Sequence, residues 1–480
     1  MKRKEPILSA INKLETLLTG MLEKSGIPGC VLKIVFEDGN TSTLTWGTKE
    51  RGRKEIPDAN TIFMIGSCSK AFTAVTAALL SDSGQVNLDA PVSDLLPLSL
   101  ERKGKKATLR HLLTNSSGLP NLGLSEIITG KVLYGSIPGD YAESYPFGND
   151  ESFLSFMHDA GSEMVGVPGE QYIYSNEGFS LASKALAVAG GKPFPDLVHE
   201  LIFQPLGMRS SGYRDSDLSS NRDFAIGHLN DGSPAPVYFE PSIAGAGGVL
   251  STANDMGHFV QSLLCQGNLE GKRVLPLSAI DDIELGRISH RTAASLVGSG
   301  FGSELYGMGM MVYPDFLGTK VFTHGGSTGN FSSSIFYNRD LGFGISALCN
   351  GAGGEGILAL FAFMVTAQLL GRDPYTTFSI FSLEQELRSL EGVYSCRGNA
   401  VRVRINYRQG RLWWESIDQN KNSPTGVHPL TAENDPSCRR FRFLNGPGAA
   451  SEVVFFAGED GLMRVKKDRN VLTRGVENDS

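Results

Sequence analysis

Residues 61–70 read TIFMIGSCSK, with two serines, Ser67 and Ser69, close to one lysine, Lys70. The segment ends an apolar run at Gly66 and opens a helix predicted over 67–83. Phe72, Val75 and Leu79 lie along one face of that helix, and Gly84 stops it. One helical turn brings Ser67 and Lys70 onto the same face, where an amine can take the hydroxyl proton. A lysine starts near pKa ~10.4, so acting as a base near neutrality needs about three units of depression, roughly 4 kcal/mol. Burial or a second cation supplies shifts of that size. Ser69, two positions from Ser67, points off this face and reads as a structural hydroxyl. The bland alternative is a polar helix start with an exposed lysine. Ser-x-x-Lys alone does not choose between the two.

The flanking sequence sets the architecture. Ile7, Ile11, Leu14, Leu18 and Met21 recur at helical spacing with Lys13, Glu15 and Lys24 between them. That predicts an amphipathic surface helix rather than an export signal. CVLKIVFEDGNTSTLTWG (30–47) holds two apolar runs around Glu37-Asp38-Gly39-Asn40, a hairpin pattern. A largely helical middle follows. Near 319 strands return as KVFTHGG, SSSIFYN and FGISALC, and ILALFAFMVTAQLL (357–370) reads as a buried helix too short to span a bilayer. Strands at both ends with helices between predict one α/β domain over 1–375. From about 386 the pattern changes. Val401, Val403, Ile405 and Tyr407 alternate with Arg402, Arg404, Asn406 and Arg408, and RRFRF and EVVFF are further strand candidates. This predicts a small antiparallel β-domain over 386–476, of barrel type.

Composition excludes several classes of function. The chain has 480 residues, 41% hydrophobic and 20% charged, with a net charge of −7. This fits a globular protein with ample core and offers no basic field for nucleic acid or an anionic membrane. Six cysteines (Cys30, Cys68, Cys265, Cys349, Cys396 and Cys438) form no C-x-x-C pair. They read as thiols in a reducing, cytoplasmic compartment. The histidines show no metal-like clustering, and His111 reads as structural. Two motifs are decoys. GGSTG (325–329) fits a nucleophile elbow, but FSSSIFYN after it favours strand where the elbow needs helix. NGAGGEG (350–356) fits a dinucleotide fingerprint, but no acid-ended parallel strand follows.

Two further stretches give Ser67-x-x-Lys70 its context. YIYSNEG carries Tyr174-Ser175-Asn176, and FTHGGSTGN carries His324-Gly325-Gly326. In this order and at these separations they resemble the three-part signature of penicillin-recognising serine enzymes, the serine β-lactamase and penicillin-binding-protein family. The similar branch holds class C β-lactamases, D-aminopeptidases and carboxylesterases. HLLTNSSGLP (111–120), QPLGMRSSG (204–212) and GAGGVLSTANDM (245–256) look like that family too, so the likeness covers roughly 10–372. It implies an antiparallel sheet flanked by helices with a helical subdomain. The motif SLEGVYS (389–395) and the strand alternation make the C-terminal domain resemble a lipocalin-like barrel.

The resemblance also implies roles. Ser67 is the nucleophile, Lys70 and Tyr174 share the proton work, and Asn176 orients Lys70. The N–H groups of Ser67 and Ser327 form an oxyanion hole, Gly325 and Gly326 border the substrate, and no metal or organic cofactor is required. The chain departs from the family at His324, where many relatives carry the lysine of Lys-Thr-Gly. A histidine with pKa near ~6.5 is mostly neutral at pH 7, which weakens recognition of a β-lactam's carboxylate. His324 is still expected among the catalytic residues, donating to Tyr174 or to the substrate. The expected activity is a serine acyl-enzyme hydrolase acting on a small amide, ester or peptide. The alternatives are an acyltransferase or peptide cyclase using the same acyl-enzyme, and a non-catalytic binding protein on this fold. Residues 121–166, with Tyr141, Tyr145 and Phe147, are candidates for substrate selection.

Overall fold

A computed structural model describes residues 4–135, 149–218, 222–290, 303–396, 399, 401–408, 410–417, 427–432, 439–446, 449–467 and 470–475. Tyr141, Tyr145, Phe147 and Cys438 lie outside them. The chain divides into two compact units, Met1–Arg372 and Asp373–Ser480.

The first unit is built on an eight-stranded antiparallel sheet. Its strands are β1 (Gly29–Phe36), β2 (Thr41–Gly47), β3 (Ile288–Ser289), β4 (Leu305–Tyr306), β5 (Met311–Phe316), β6 (Thr319–Ser327), β7 (Ser332–Asn338) and β8 (Phe343–Cys349). Their order across the sheet is β3-β4-β5-β6-β7-β8-β1-β2, so the two ends of the unit's sequence meet where β1 pairs with β8. The predicted hairpin joins β1 to β2 at Asp38–Asn40, where Gly39 takes φ +84° and Asp38 accepts the Asn40 N–H. Both β7 and β8 are buried along their whole length, because helices cover both faces of the sheet.

The helices used below are α1 (Lys4–Lys24), α2 (Ser69–Asp82), α3 (Leu124–Tyr134), α4 (Asn176–Gly190), α5 (Ala253–Leu264), α6 (Leu277–Glu284) and α7 (Glu355–Leu369). The amphipathic α1 buries Ile7, Ile11, Leu14, Leu18 and Leu22. The apolar α7 covers one face, with Phe363 edge-on to Phe336 of β7. On the opposite face Ser346 of β8 reaches the Ala253 carbonyl at the start of α5. Residues 325–327 end β6 and lead through a turn into β7 rather than a helix, and 350–354 lie between β8 and α7 in an antiparallel sheet. The elbow therefore lacks its helix and the fingerprint its parallel strand. Among the described residues no helix is long and apolar enough to cross a membrane.

A buried ion pair ties this face together. Arg339 Nη1 lies 2.5 Å from Glu284 Oε2 at the end of α6, and Arg339 Nη2 donates to the Leu263 carbonyl of α5 at 2.6 Å. Tyr337 OH donates to Glu284 at 2.6 Å. Arg339→Met leaves a buried carboxylate without its cation and should cost about 3–5 kcal/mol of unfolding free energy, read by urea denaturation. A loss below about 1 kcal/mol would contradict the account.

The second unit opens with a short helical turn, Pro374–Thr377, and the helix Ser379–Ser389, and continues as eight antiparallel strands. These are β9 (Gly392–Ser395), β10 (Arg402–Arg408), β11 (Arg411–Ser416), β12 (Val427–Ala432), β13 (Arg440–Gly446), β14 (Ala449–Ala457), β15 (Met463–Lys467) and β16 (Asn470–Arg474). The alternation holds at its centre, where Val403 and Ile405 are buried and Arg404 faces out, but Val401 is exposed and Tyr407 is half-buried like Asn406. The expectation of a lipocalin-like barrel is corrected. The strand order runs round from β16 to β9, but only two residue pairs, Tyr394–Arg474 and Ser395–Thr473, join them, against six between β10 and β11. Inside, Tyr394, Ile405, Leu412, Trp414, Val453 and Phe455 pack into a continuous apolar core. The sheet therefore curls over its own side chains with a thin seam, where a lipocalin seals a cup around a ligand cavity. Alternation with period two fixes which side faces inward and is the same whether the sheet's ends meet broadly or barely.

Candidate active site

The opening stretch becomes a short strand, Ile62–Met64, paired with Leu250–Thr252, then a tight 3-10 turn at Gly66–Cys68 and helix α2. Gly66 has φ +47°, and a methyl group on it would fall 2.7 Å from the backbone nitrogen of Ser327. Only glycine permits both the left-handed turn and this approach. Ser67, partly exposed, sits at the crest. The neighbouring Cys68 is buried; burial pushes its thiol up to about 12, and it donates to the His324 carbonyl at 3.3 Å. Ser69 Oγ accepts the Val249 N–H at 3.1 Å, so this second serine holds the Leu250–Thr252 side of the site.

Lys70 is fully buried. Its Nζ has three oxygen neighbours: Ser67 Oγ at 3.1 Å, Asn176 Oδ1 at 2.7 Å and the Ala246 carbonyl at 2.9 Å. Burial lowers its pKa to about 7, opposed in part by the negative charge of Glu177 and then by Cys68. Tyr174 OH donates to Ser67 Oγ at 2.7 Å, so Ser67 lies between an amine and a phenol. Burial raises the Tyr174 pKa above the usual phenol range, and its hydrogen bond to Ser67 only partly offsets this. The phenol is the stable form at neutral pH. Lys70 Nζ also lies 4.6 Å from the centre of the Tyr174 ring.

Asn176 is the first residue of α4, which is capped by Ser175 Oγ accepting the Gly178 N–H at 3.0 Å. Its backbone N–H donates to Asn121 Oδ1, and its Nδ2 donates to Ser125 Oγ of α3, both at 2.8 Å. Those contacts fix the amide so that Oδ1 faces Lys70.

The last residues of β6 form the opposite wall. Strand β5 pairs with β6 only as far as Thr323, so the His324–Ser327 edge is left facing the Gly66–Cys68 turn. Thr328 N–H bonds to the Phe331 carbonyl at 3.1 Å, closing the turn into β7. By the alternation of an antiparallel ladder, the Ser327 N–H then points away from β7, towards Ser67. Gly326 also lacks room for a side chain: a methyl there would lie 2.0 Å from the Ile65 carbonyl.

His324 is buried, and burial followed by the Lys70 charge lowers its pKa to about 3. Its Nδ1 donates to the Gly325 carbonyl at 2.7 Å, which leaves Nε2 to accept from Tyr306 OH at 3.0 Å. Both ring nitrogens are engaged by these partners, so the expected hydrogen bond from His324 to Tyr174 is replaced by one with Tyr306. His111 serves as a structural cap, with its Nδ1 accepting the Thr108 N–H at 3.1 Å. Among the described residues no group of three or more His, Cys, Asp or Glu is placed to hold a metal ion.

A profile of the Beta-lactamase family matches residues 14–361. The chain belongs to the β-lactamase family. It is 27% identical over 357 residues to penicillin-binding protein 4 of Amycolatopsis lactamdurans, a match covering 72% of this chain and 85% of that one. It is 29% identical over 244 residues to the D-alanyl-D-alanine-carboxypeptidase/endopeptidase AmpH of Escherichia coli K12, covering 50% of this chain and 58% of AmpH. Among solved structures, the octameric penicillin-binding protein homologue from Pyrococcus abyssi matches with a TM-score of 0.80 at 25% identity, covering 97% of this chain and all of that one.

Within this β-lactamase-family fold, Ser67, Lys70, Tyr174, Asn176, Gly326 and Ser327 converge on one site, while His324 is turned into the core behind it. Sequence reasoning missed the Ala246 carbonyl, Tyr306, and the Asn121–Ser125 support of Asn176. GAGGVLSTANDM did carry a signal. A methyl on Gly245 would lie 2.5 Å from the Phe179 carbonyl, so the small residues there let that segment reach Lys70. Tyr306 lies in no recognisable motif.

Proposed function

We propose that this protein is a serine acyl-enzyme hydrolase in which Ser67 attacks the carbonyl of an amide or ester. The observation that carries the reading is the set of neighbours around Lys70 and Ser67. A neutral amine has two N–H groups and one lone pair. The carbonyl oxygens of Asn176 and Ala246 can only accept, so they take the two N–H groups and the lone pair is left for the Ser67 proton. As the Ser67 oxygen attacks, its proton passes to Lys70 Nζ and the carbonyl oxygen develops negative charge between the N–H groups of Ser67 and Ser327. Tyr174, held as a phenol, delivers a proton to the leaving amine or alcohol as the carbonyl carbon–leaving-group bond breaks, and the proton on Lys70 restores the phenol. Water then repeats the sequence on the acyl-enzyme, with Lys70 again taking the proton.

His324 shapes the substrate class. It is neutral, buried and satisfied on both nitrogens, so it offers no cation to a carboxylate beside the scissile bond. Internal peptide bonds, amides and esters with an uncharged neighbour fit the site better than a C-terminal peptide or a β-lactam acid. The names of the two curated relatives, a penicillin-binding protein and a carboxypeptidase/endopeptidase, favour peptides over other amides.

The test is labelling by a fluorophosphonate, followed by intact mass and peptide mapping. The adduct should fall on Ser67. Only the neutral amine can take the proton, so the second-order rate should rise with pH and be half-maximal near 7, where Lys70 loses its charge. An adduct elsewhere, or a rate that keeps rising to the ordinary lysine range near ~10.4, would overturn the reading.

A further inference from the structure

Glu177 follows Asn176 in α4 and is fully buried, yet it plays no part in the steps above. Its Oε1 accepts two backbone N–H groups, from Leu122 and Leu124, each at 2.9 Å. Its Oε2 is buried with no hydrogen-bond partner among the described residues. The segment it grips begins at Asn121 and ends at Ser125, the two residues that hold the Asn176 N–H and Nδ2. Gly123 turns the chain between the two gripped N–H groups with φ +87°. One carboxylate oxygen thus fixes a turn, the turn fixes the Asn176 amide, and the amide aims its oxygen at Lys70. Burial raises the Glu177 pKa above the usual carboxylate range, and the N–H groups of Leu124 and Leu122 only partly offset this.

We propose that Glu177 is a positioning residue for the acyl-transfer chemistry, holding Asn176 against Lys70 through the 122–124 turn and placing its own carboxylate next to the residue that holds the amine. The proposal rests on Lys70 being the base for Ser67. Among the described residues the ionisable groups facing Lys70 are few. Cys68 is on its own turn and stays a thiol, Tyr174 and Glu177 come from the Tyr174–Glu177 segment, and His324 of β6 stays neutral. Burial disfavours the Glu177 charge most, the N–H groups of Leu124 and Leu122 favour it, and Glu126 of α3 disfavours it further. Among the described residues the Glu177 carboxylate acts most strongly on Lys70, opposing the depression caused by burial.

The experiment is the pH profile of fluorophosphonate labelling at Ser67 for the full chain and for Glu177→Gln. Glutamine keeps an acceptor oxygen for the two N–H groups and removes the charge, so Lys70 should hold its proton less tightly. The acid limb should move to lower pH by roughly 0.5–1 unit. A purely structural role would slow labelling without moving the limb. Ser125→Ala breaks the relay and leaves the charge, so its maximum rate should fall about tenfold with the limb in place. An unmoved limb in Glu177→Gln overturns the proposal. If that chain does not fold, Ser125→Ala labelling as fast as the unmodified chain overturns it instead. No adduct on Ser67 in the unmodified chain is a different failure, that of the acyl-enzyme reading itself.

Discussion

Ser67→Ala is expected to abolish the fluorophosphonate adduct and lower turnover by ~10^4-fold or more, since removing a nucleophile costs the whole covalent route. What remains would come from binding and the oxyanion donors. The informative comparison is Ser69→Ala. Ser69 lies closer to Lys70 in sequence, but its hydroxyl is buried and accepts the Val249 N–H. Losing it leaves one buried donor unpaired, at a cost of about 1–3 kcal/mol in stability, with Ser67 still labelled. Ser67 Oγ has Lys70 Nζ on one side and Tyr174 OH on the other. Intact mass and steady-state rates on both variants decide which serine is the nucleophile. An adduct that persists in Ser67→Ala, or vanishes only in Ser69→Ala, would reverse the assignment.

Gly326→Ala is expected to cost about 10^2–10^3 in rate while leaving the fold in place. The added methyl would lie 2.0 Å from the Ile65 carbonyl and 2.4 Å from Ser333 Oγ. Ile65 O is already held by the Ser333 hydroxyl at 2.7 Å and by the Cys68 N–H at 3.2 Å, so it cannot retreat cheaply. The end of β6 must move instead, carrying the Ser327 N–H away from its proposed place in the oxyanion hole. Lys70 is untouched, so the acid limb of the labelling profile should stay near 7 while the maximum falls. Stability should drop by about 1–3 kcal/mol, the cost of overpacking. A rate within tenfold of the unmodified chain would show that the close approach of β6 to the Gly66–Cys68 turn is not needed.

Much of this site was legible because its parts are local. Ser67 and Lys70 share a face through helix geometry alone, and Ser175 caps α4 just ahead of Asn176 by ordinary N-cap chemistry. Alternation revealed the strands, and the 3.6-residue period revealed α1. The order of the motifs along the chain revealed the family. The sequence also showed that position 324 holds a histidine where a lysine is common, though not that its ring turns inward to Tyr306.

Tertiary structure decided the rest. Tyr174 meets Ser67 across 107 residues, Lys70 meets Asn176 across 106, and Ser333 meets Ile65 across 268. No periodicity encodes such pairings. The Lys70 pKa near 7 follows from burial by segments drawn from the whole unit. In the second unit the inward row of side chains was readable, but how the ends of the sheet meet was not. A residue's own chemistry and its neighbours within a helical turn or a strand pleat are written in the sequence. Desolvation, orientation of a polar group and closure of a sheet are collective, fixed only when distant segments pack and exclude water.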